Sequence, residues 1–310
     1  MRTADLRGMA ERALRAAGVT DLTGNWSLGG GFRPRPGGSA PIRIRLDEGW
    51  VGLEAPVSVD AAECTGWGLL ERNGGLPEAS RIVRTGGPGS AAVLRVDLPV
   101  LGDPGEAQRW RRAAAGLLAA WTSCAGEPWA PAPDRDAREE EDGEDREENE
   151  NEAGGSGSPV AERPDAKTLA TWIRDAGWPC RAREDGRVTA ELGGRGHNRQ
   201  VSVEIPETGP VSLRMRLAAR SEAEEDSPAL ACFLLRLSAL RRMVRAAADA
   251  RDAPGAGIRL EVPLVEPLGP AIVAPGMAAL AVAVRHGWRE ARALAESKLG
   301  SQFAGLWCPE

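Results

Sequence analysis

Two histidines, five cysteines, two lysines and a few glycine-flanked serines are the residues of this 310-residue chain whose types could do chemistry. A metal site would need them at ligand spacing, such as HExxH or paired CxxC. His197 stands instead in Gly193-Gly194-Arg195-Gly196-His197-Asn198, a turn between strands, and His286 precedes Trp288 by two residues on the last helix. Cys64, Cys124, Cys180, Cys232 and Cys308 are scattered, odd in number and form no CxxC pair. Met1-Arg2-Thr3-Ala4-Asp5 opens no signal peptide, so these read as reduced packing thiols of a cytoplasmic protein. A serine nucleophile would occupy GxSxG on a strand-to-helix elbow, whereas Gly155-Ser156-Gly157-Ser158 lies in a Gly/Ser tract. A phosphate loop would place Lys directly after Gly, and neither Lys167 nor Lys298 follows one. Gly29-Gly30-Gly31 and Gly86-Gly87-Pro88-Gly89 read as hairpin turns. The residues predict no enzyme, no cofactor and no metal site.

What remains is a pattern of arginine and tryptophan. Arg43 and Arg45 alternate with Ile42, Ile44 and Leu46, and Arg214 and Arg216 alternate with Val211, Leu213, Met215 and Leu217. Period two puts such arginines together on the face of a strand opposite the apolar one. Two readings are open: a solvated outer face, or a face that receives an acidic segment, from a partner or from Glu139–Glu152 of the same chain. Of ten tryptophans, Trp110, Trp121, Trp172 and Trp288 fall on apolar helical faces. Trp178, directly after a helix end, and Trp307 are less committed to a core, and exposed Trp is enriched at binding hot spots. Arg43, Arg45, Arg214, Arg216 and Trp178 are the candidate partner-binding residues.

The net charge of −6 is unevenly spread: +1 over residues 1–133, −10 over 134–165 and +3 over 166–310. Neither flank has the basic excess of a nucleic-acid binder, and with no run of 18 apolar residues no membrane span is expected. The acidic run from Arg138 to Glu152, followed by Gly154-Gly155-Ser156-Gly157-Ser158-Pro159, cannot bury enough surface to offset chain entropy. The expected organisation is a first α+β unit at 1–125, a disordered acidic linker at 126–164 and a second unit at 165–310.

Both flanks read as one unit. Each opens with a short amphipathic helix stopped by Gly18 or Gly177. Each carries a matching heptapeptide, Arg95-Val96-Asp97-Leu98-Pro99-Val100-Leu101 and Arg259-Leu260-Glu261-Val262-Pro263-Leu264-Val265, whose proline implies an edge strand or a strand end. The interval from glycine to that proline is 81 residues in one flank and 86 in the other. Each ends in a helix, expected after Pro104 and after Pro275. A middle helix, capped by Ser227 and striped by Leu230, Phe233, Leu234, Leu237 and Leu240, has a short counterpart near Trp67–Arg72. Alternating stretches around Ile42–Leu53, Arg187–Leu192, Val201–Ile205 and Val211–Leu217 supply antiparallel strands with one buried face. The fold class is therefore α+β: two copies of an antiparallel sheet packed against helices, in the order helix, three or four strands, helix, two strands, helix.

This order resembles the fold of type III secretion chaperones of the CesT class and of YbjN-like proteins. The resemblance is carried by Leu169–Gly177, the Asp185-Gly186 hairpin, Val201–Ile205, Val211–Leu217, the Leu230–Leu240 helix, Val244–Asp249 and Arg259–Val265. The first unit is a degenerate copy. The resemblance implies a single-chain pseudo-dimer with no catalytic residues, which holds an extended segment of a protein partner. The expected function is a chaperone-like or adaptor-like protein-binding module in a bacterial cytoplasm, with no nucleic-acid or membrane partner. The alternative is a regulatory or defence accessory that binds one folded partner, such as a sigma factor or an effector complex.

Overall fold

A computed structural model describes residues 8–9, 11–12, 42–47, 49–57, 66–84, 92–125, 163–192, 199–206, 210–220, 228–250 and 253–296. Most of the expected first helix, the acidic segment, Ser227, His197, Trp307, Cys64 and Cys308 lie outside those residues.

In the first half, the alternating apolar residues form β1 (Arg43–Asp47) and β2 (Trp50–Pro56), turned at Gly49 with its φ of 69°. Helix α1 (Gly66–Gly75), β3 (Arg81–Arg84), β4 (Ala92–Pro99) and α2 (Glu106–Ala125) follow. The strand order is β1-β2-β4-β3, antiparallel throughout. Ile44, Val51, Leu53, Ile82, Leu94 and Val96 bury one face against Trp110, Ala114, Leu117 and Leu118 of α2. Only two strands precede the middle helix among the described residues of this half, against the three or four expected.

The second half gives the expected order in full. It comprises α3 (Ala166–Asp175), β5 (Cys180–Ala182), β6 (Val188–Leu192), β7 (Arg199–Glu204), β8 (Val211–Ala219), α4 (Pro228–Leu240), β9 (Arg245–Ala248), β10 (Gly257–Leu264) and α5 (Pro270–Glu296). Its six strands run β5-β6-β7-β8-β10-β9, antiparallel. Asp165 caps α3 by accepting the Thr168 N–H at 2.8 Å. Gly177, at φ 91°, ends it as a Schellman motif: Gly177 N–H donates to Arg174 O at 2.8 Å and Trp178 N–H to Ile173 O at 3.1 Å. Among the described residues the chain is thus α+β, with two antiparallel sheets and five helices.

Two local expectations are corrected and one is narrowed. The heptapeptide strands β4 and β10 are interior, so of the two places expected for their prolines, an edge strand or a strand end, the strand end holds. Pro99 is tolerated because it ends β4, and Pro263 because β9 stops pairing with β10 at Glu261. The last helix starts at Pro270, so Pro275 lies inside it and removes the N–H that would meet Ala271 O. Leu240, placed on the buried stripe of α4, is 66% exposed, and Leu235 is buried in its stead.

Helix α5 is long and apolar enough, over Pro270–Ala291, to cross a membrane by length and composition. Ile272, Val273, Met277, Leu280, Ala283 and Val284 are nonetheless core residues, packed over β8, β10 and α4. Gly276 and Gly287 set that approach. A Cβ on Gly287 would lie 2.6 Å from Leu237 Cδ2, and one on Gly276 2.8 Å from Leu264 Cδ2.

Candidate functional site

Each sheet has a helix-covered face and a face that carries charge. In a single unit the second face would meet water. Here the two halves partly cover it for each other: α1 packs against β9, α4 against β3, and α1 against α4. Gly66 permits the helix contact, since a Cβ there would lie 2.7 Å from Ala231 Cβ.

The same bonds recur at corresponding places. Arg81 opens β3 and pairs with Asp97 of β4, sixteen residues on. Arg245 opens β9 and pairs with Glu261 of β10 at 2.6 Å, also sixteen residues on. Both guanidiniums reach across: Arg81 Nε donates to Ser238 O at 3.3 Å, and Arg245 Nη1 donates to Leu76 O and Ser80 O, each at 2.9 Å. Arg95 Nη1 donates across to Ala239 O at 2.9 Å, while its counterpart Arg259 approaches Gly74. Burial lowers the proton affinity of Arg81 and of Arg245, and the attraction of Asp97 and Glu261 opposes that shift. Arg259 is raised, because Glu261 and Asp249 outweigh the effect of its burial.

The outer edges of β3 and β9 are closed by side chains. Asn73 Oδ1 accepts Ile82 N–H at 2.6 Å, and Asn73 Nδ2 donates to Ile82 O at 3.1 Å and to Ala246 O at 2.9 Å. Ser238 Oγ accepts Ala246 N–H at 2.8 Å. Asn73 therefore ties both sheets together through backbone groups that an uncovered edge would leave open.

The predicted residues divide. Arg43 lies in β1 opposite Glu54 in register. Arg45, 41% exposed in its side chain, donates to Glu54 at 3.0 Å. Arg214 bridges Glu204 and Glu261 and is 26% exposed, so it belongs to an ion cluster rather than to a row of unpaired cations. Arg216 is exposed and donates to Ala256 O at 3.3 Å. Trp178 is half-buried against the core. The structure does not bring these five together: Arg214 and Arg216 share one face of β8, Arg43 and Arg45 belong to the other sheet, and Trp178 follows α3. The sequence reading missed Asn73, Arg81 and Arg245. The available signal was a strand-opening arginine at the same distance from an acid in both halves.

One row crosses the whole second sheet in register: Arg181, Thr189, Ser202, Arg214, Glu261 and Arg245. Its inner end lies under the first half, and Arg181 at its outer end is exposed. There β5 forms the sheet edge. Arg183 N–H donates to Arg187 O at 2.7 Å and Glu191 N–H to Pro179 O at 2.9 Å, so alternation turns the N–H groups of Cys180 and Ala182 away from β6. Burial raises the Cys180 thiol, and Arg174 opposes it. Cys124, Cys180 and Cys232 are unbridged, and among the described residues no group of His, Cys, Asp and Glu is arranged to hold a metal ion.

A second cross-half cluster lies where α2 meets the segment after β10. Arg112 pairs with Glu266, Arg163 Nε stands 3.2 Å from the same carboxylate, and Arg109 Nη1 donates to Pro267 O at 3.1 Å. Glu78 sits against it, since a Cβ on Gly116 would lie 2.6 Å from Glu78 Cβ. Burial raises the Glu78 carboxyl; Arg112 lowers it, Glu266 raises it and Arg163 lowers it. A raised carboxyl holds its proton more tightly folded than unfolded, so its ionisation costs stability. The loss is absent below the ordinary glutamate range and grows as pH climbs through the raised value. Glu78→Gln is therefore expected to raise the thermal midpoint at neutral pH, and parallel melts should converge as pH falls to about 4.

Residues 165–269 match the family YbjN, described as "Putative bacterial sensory transduction regulator". The match runs from the cap of α3 to the residue before α5 and leaves the first half unmatched. Neither a curated protein nor a solved structure gives a significant match.

Proposed function

We propose, from the YbjN-type match of residues 165–269, that this chain is a non-enzymatic, chaperone-like or adaptor-like protein-binding module of a bacterial cytoplasm. In this reading a second unit at 165–310 pairs with a degenerate copy of itself at 1–125, across an acidic linker at 126–164, as a pseudo-dimer made in one chain. The recurrence of Arg81–Asp97 as Arg245–Glu261 supports the duplication. The partner is an extended acidic segment of another protein. It adds as a strand to β5, with main-chain bonds to Cys180 and Ala182 and its carboxylates over Arg181; Arg43, Arg45, Arg214, Arg216 and Trp178 are peripheral to that path. The observation that carries this reading is that β5 is an edge strand whose Cys180 and Ala182 N–H groups turn outward, whereas side chains occupy the edges of β3 and β9.

The test is binding of a labelled peptide of alternating Val and Glu, followed by fluorescence anisotropy. Ala182→Pro removes one outward N–H and no bond to β6, so it is expected to weaken binding about tenfold. Unchanged affinity would exclude strand addition at β5. Deleting 138–152 is expected to strengthen binding at low salt and to have no effect near 1 M salt, where screening is nearly complete. A regulatory accessory that binds one folded partner is the second reading, and the family description favours it. Capture with folded against unfolded forms of the same partner separates the two.

A further inference from the structure

The turn that joins β5 to β6 gathers three arginines on one side of the sheet. Arg183 N–H donates to Arg187 O at 2.7 Å, and Gly186 N–H donates to Arg183 O at 3.1 Å. With Gly186 at φ 78°, this is a three-residue hairpin loop closed by a glycine bulge. Arg183 therefore stands opposite Arg187, continuing the register of Ala182 with Val188 and of Arg181 with Thr189. Val188 is buried on the helix-covered side, so by alternation Arg181, Arg183 and Arg187 project together from the other side, and all three are exposed. Like charges directly opposite each other in a sheet repel. The acids nearby do not answer them. Asp185 is engaged by its own turn: it accepts Arg187 N–H at 3.0 Å and stands 3.7 Å from Arg187 Nε, with both side chains mostly exposed. Glu204, across from Arg187 in continued register, pairs with Arg214. Among the described residues, Arg181 and Arg183 make no ion pair.

We infer that the partner segment carries two acidic side chains separated by one apolar residue, and that Arg181, Arg183 and Arg187 read this spacing. The inference rests on strand addition at β5 and names what that edge selects. A strand added there exchanges main-chain bonds with Cys180 and Ala182, whose N–H groups point outward. Its residues opposite Arg181 and Arg183 then occupy the non-hydrogen-bonded positions, where facing side chains come closest. Those two residues are separated by one, lie about 6.6–7 Å apart and share the arginine side. One carboxylate meets Arg181. The other lies beside the opposed Arg183 and Arg187 and offsets their repulsion. The residue between them turns to the helix side, next to Ala182 and the half-buried Cys180, where an apolar side chain fits. Acids three residues apart would put one carboxylate on that apolar side.

The test uses the full chain and labelled peptides of one Thr/Val host that differ only at their centre, read by fluorescence anisotropy at low salt. The Glu-Val-Glu peptide is expected to bind best. Replacing either Glu by Gln should weaken it about threefold, the worth of one exposed ion pair, and the difference should vanish near 1 M salt. Glu-Val-Val-Glu, with the same charge, should bind no better than a single-acid peptide. The double variant Arg181→Glu with Arg183→Glu should reverse the preference, taking Lys-Val-Lys over Glu-Val-Glu. Equal binding of the two acid spacings, or a double variant that still prefers acids, would overturn the inference even where Ala182→Pro weakens every peptide and strand addition stands. No effect of Ala182→Pro on any peptide would sink strand addition itself, and the spacing rule with it.

Discussion

Arg245→Ala is expected to cost about 3–5 kcal/mol of folding stability, measured by denaturant unfolding. Arg245 is 2% exposed, pairs with the fully buried Glu261, and donates to Leu76 O and Ser80 O of the other half. Truncation strips the cross-half donor from two buried carbonyls and leaves Glu261 with only Arg214 and Arg259. The size of the loss reflects stranded polar groups rather than the worth of the pair. Replacing both partners by apolar residues, Arg245→Met with Glu261→Leu, should recover much of it, because removing two charges together avoids leaving either one uncompensated. A single-variant loss under 1 kcal/mol would mean that water reaches this place.

Asn73→Ala should be comparably severe, about 3–5 kcal/mol, from roughly 1–3 kcal/mol for each buried backbone group left without a partner. Ile82 N–H, Ile82 O and Ala246 O all lose their bond to this side chain. The double variant with Arg245→Ala should lose less than the sum, because both break the same junction. Additive losses in that cycle would show that the two side chains hold separate parts of the molecule.

The elements were legible where periodicity is local. The alternation around Val211–Leu217, the glycine stop at Gly177 and the paired heptapeptides each reappear as drawn, and the heptapeptides placed Asp97 and Glu261 at equivalent points of two sheets. Asn73 was not legible. In Arg72-Asn73-Gly74-Gly75 it reads as turn chemistry, and its role depends on a strand 173 residues away. For the alternating arginines the sequence left two readings open, a solvated face or a face that receives an acidic segment, because a lone sheet buries only one side. The buried arginines Arg81 and Arg245 were not legible, since their cover comes from the other half of the chain, which no window of local sequence contains. Leu240 failed in the reverse sense: its spacing fits the stripe, yet it sits at the last position of α4, where the helix runs out past the core.

Occupied borders have a consequence for synthesis. Strand β3 leaves the ribosome with its backbone edge already met by Asn73, but α4, which packs against it, is complete only about 115 residues after α2. At roughly 5–20 residues per second, the nascent chain carries that uncovered apolar surface for about 6–23 s. During that wait neighbouring polysome products can cross-pair, and an acidic stretch translated early in the delay would keep such chains apart by mutual repulsion.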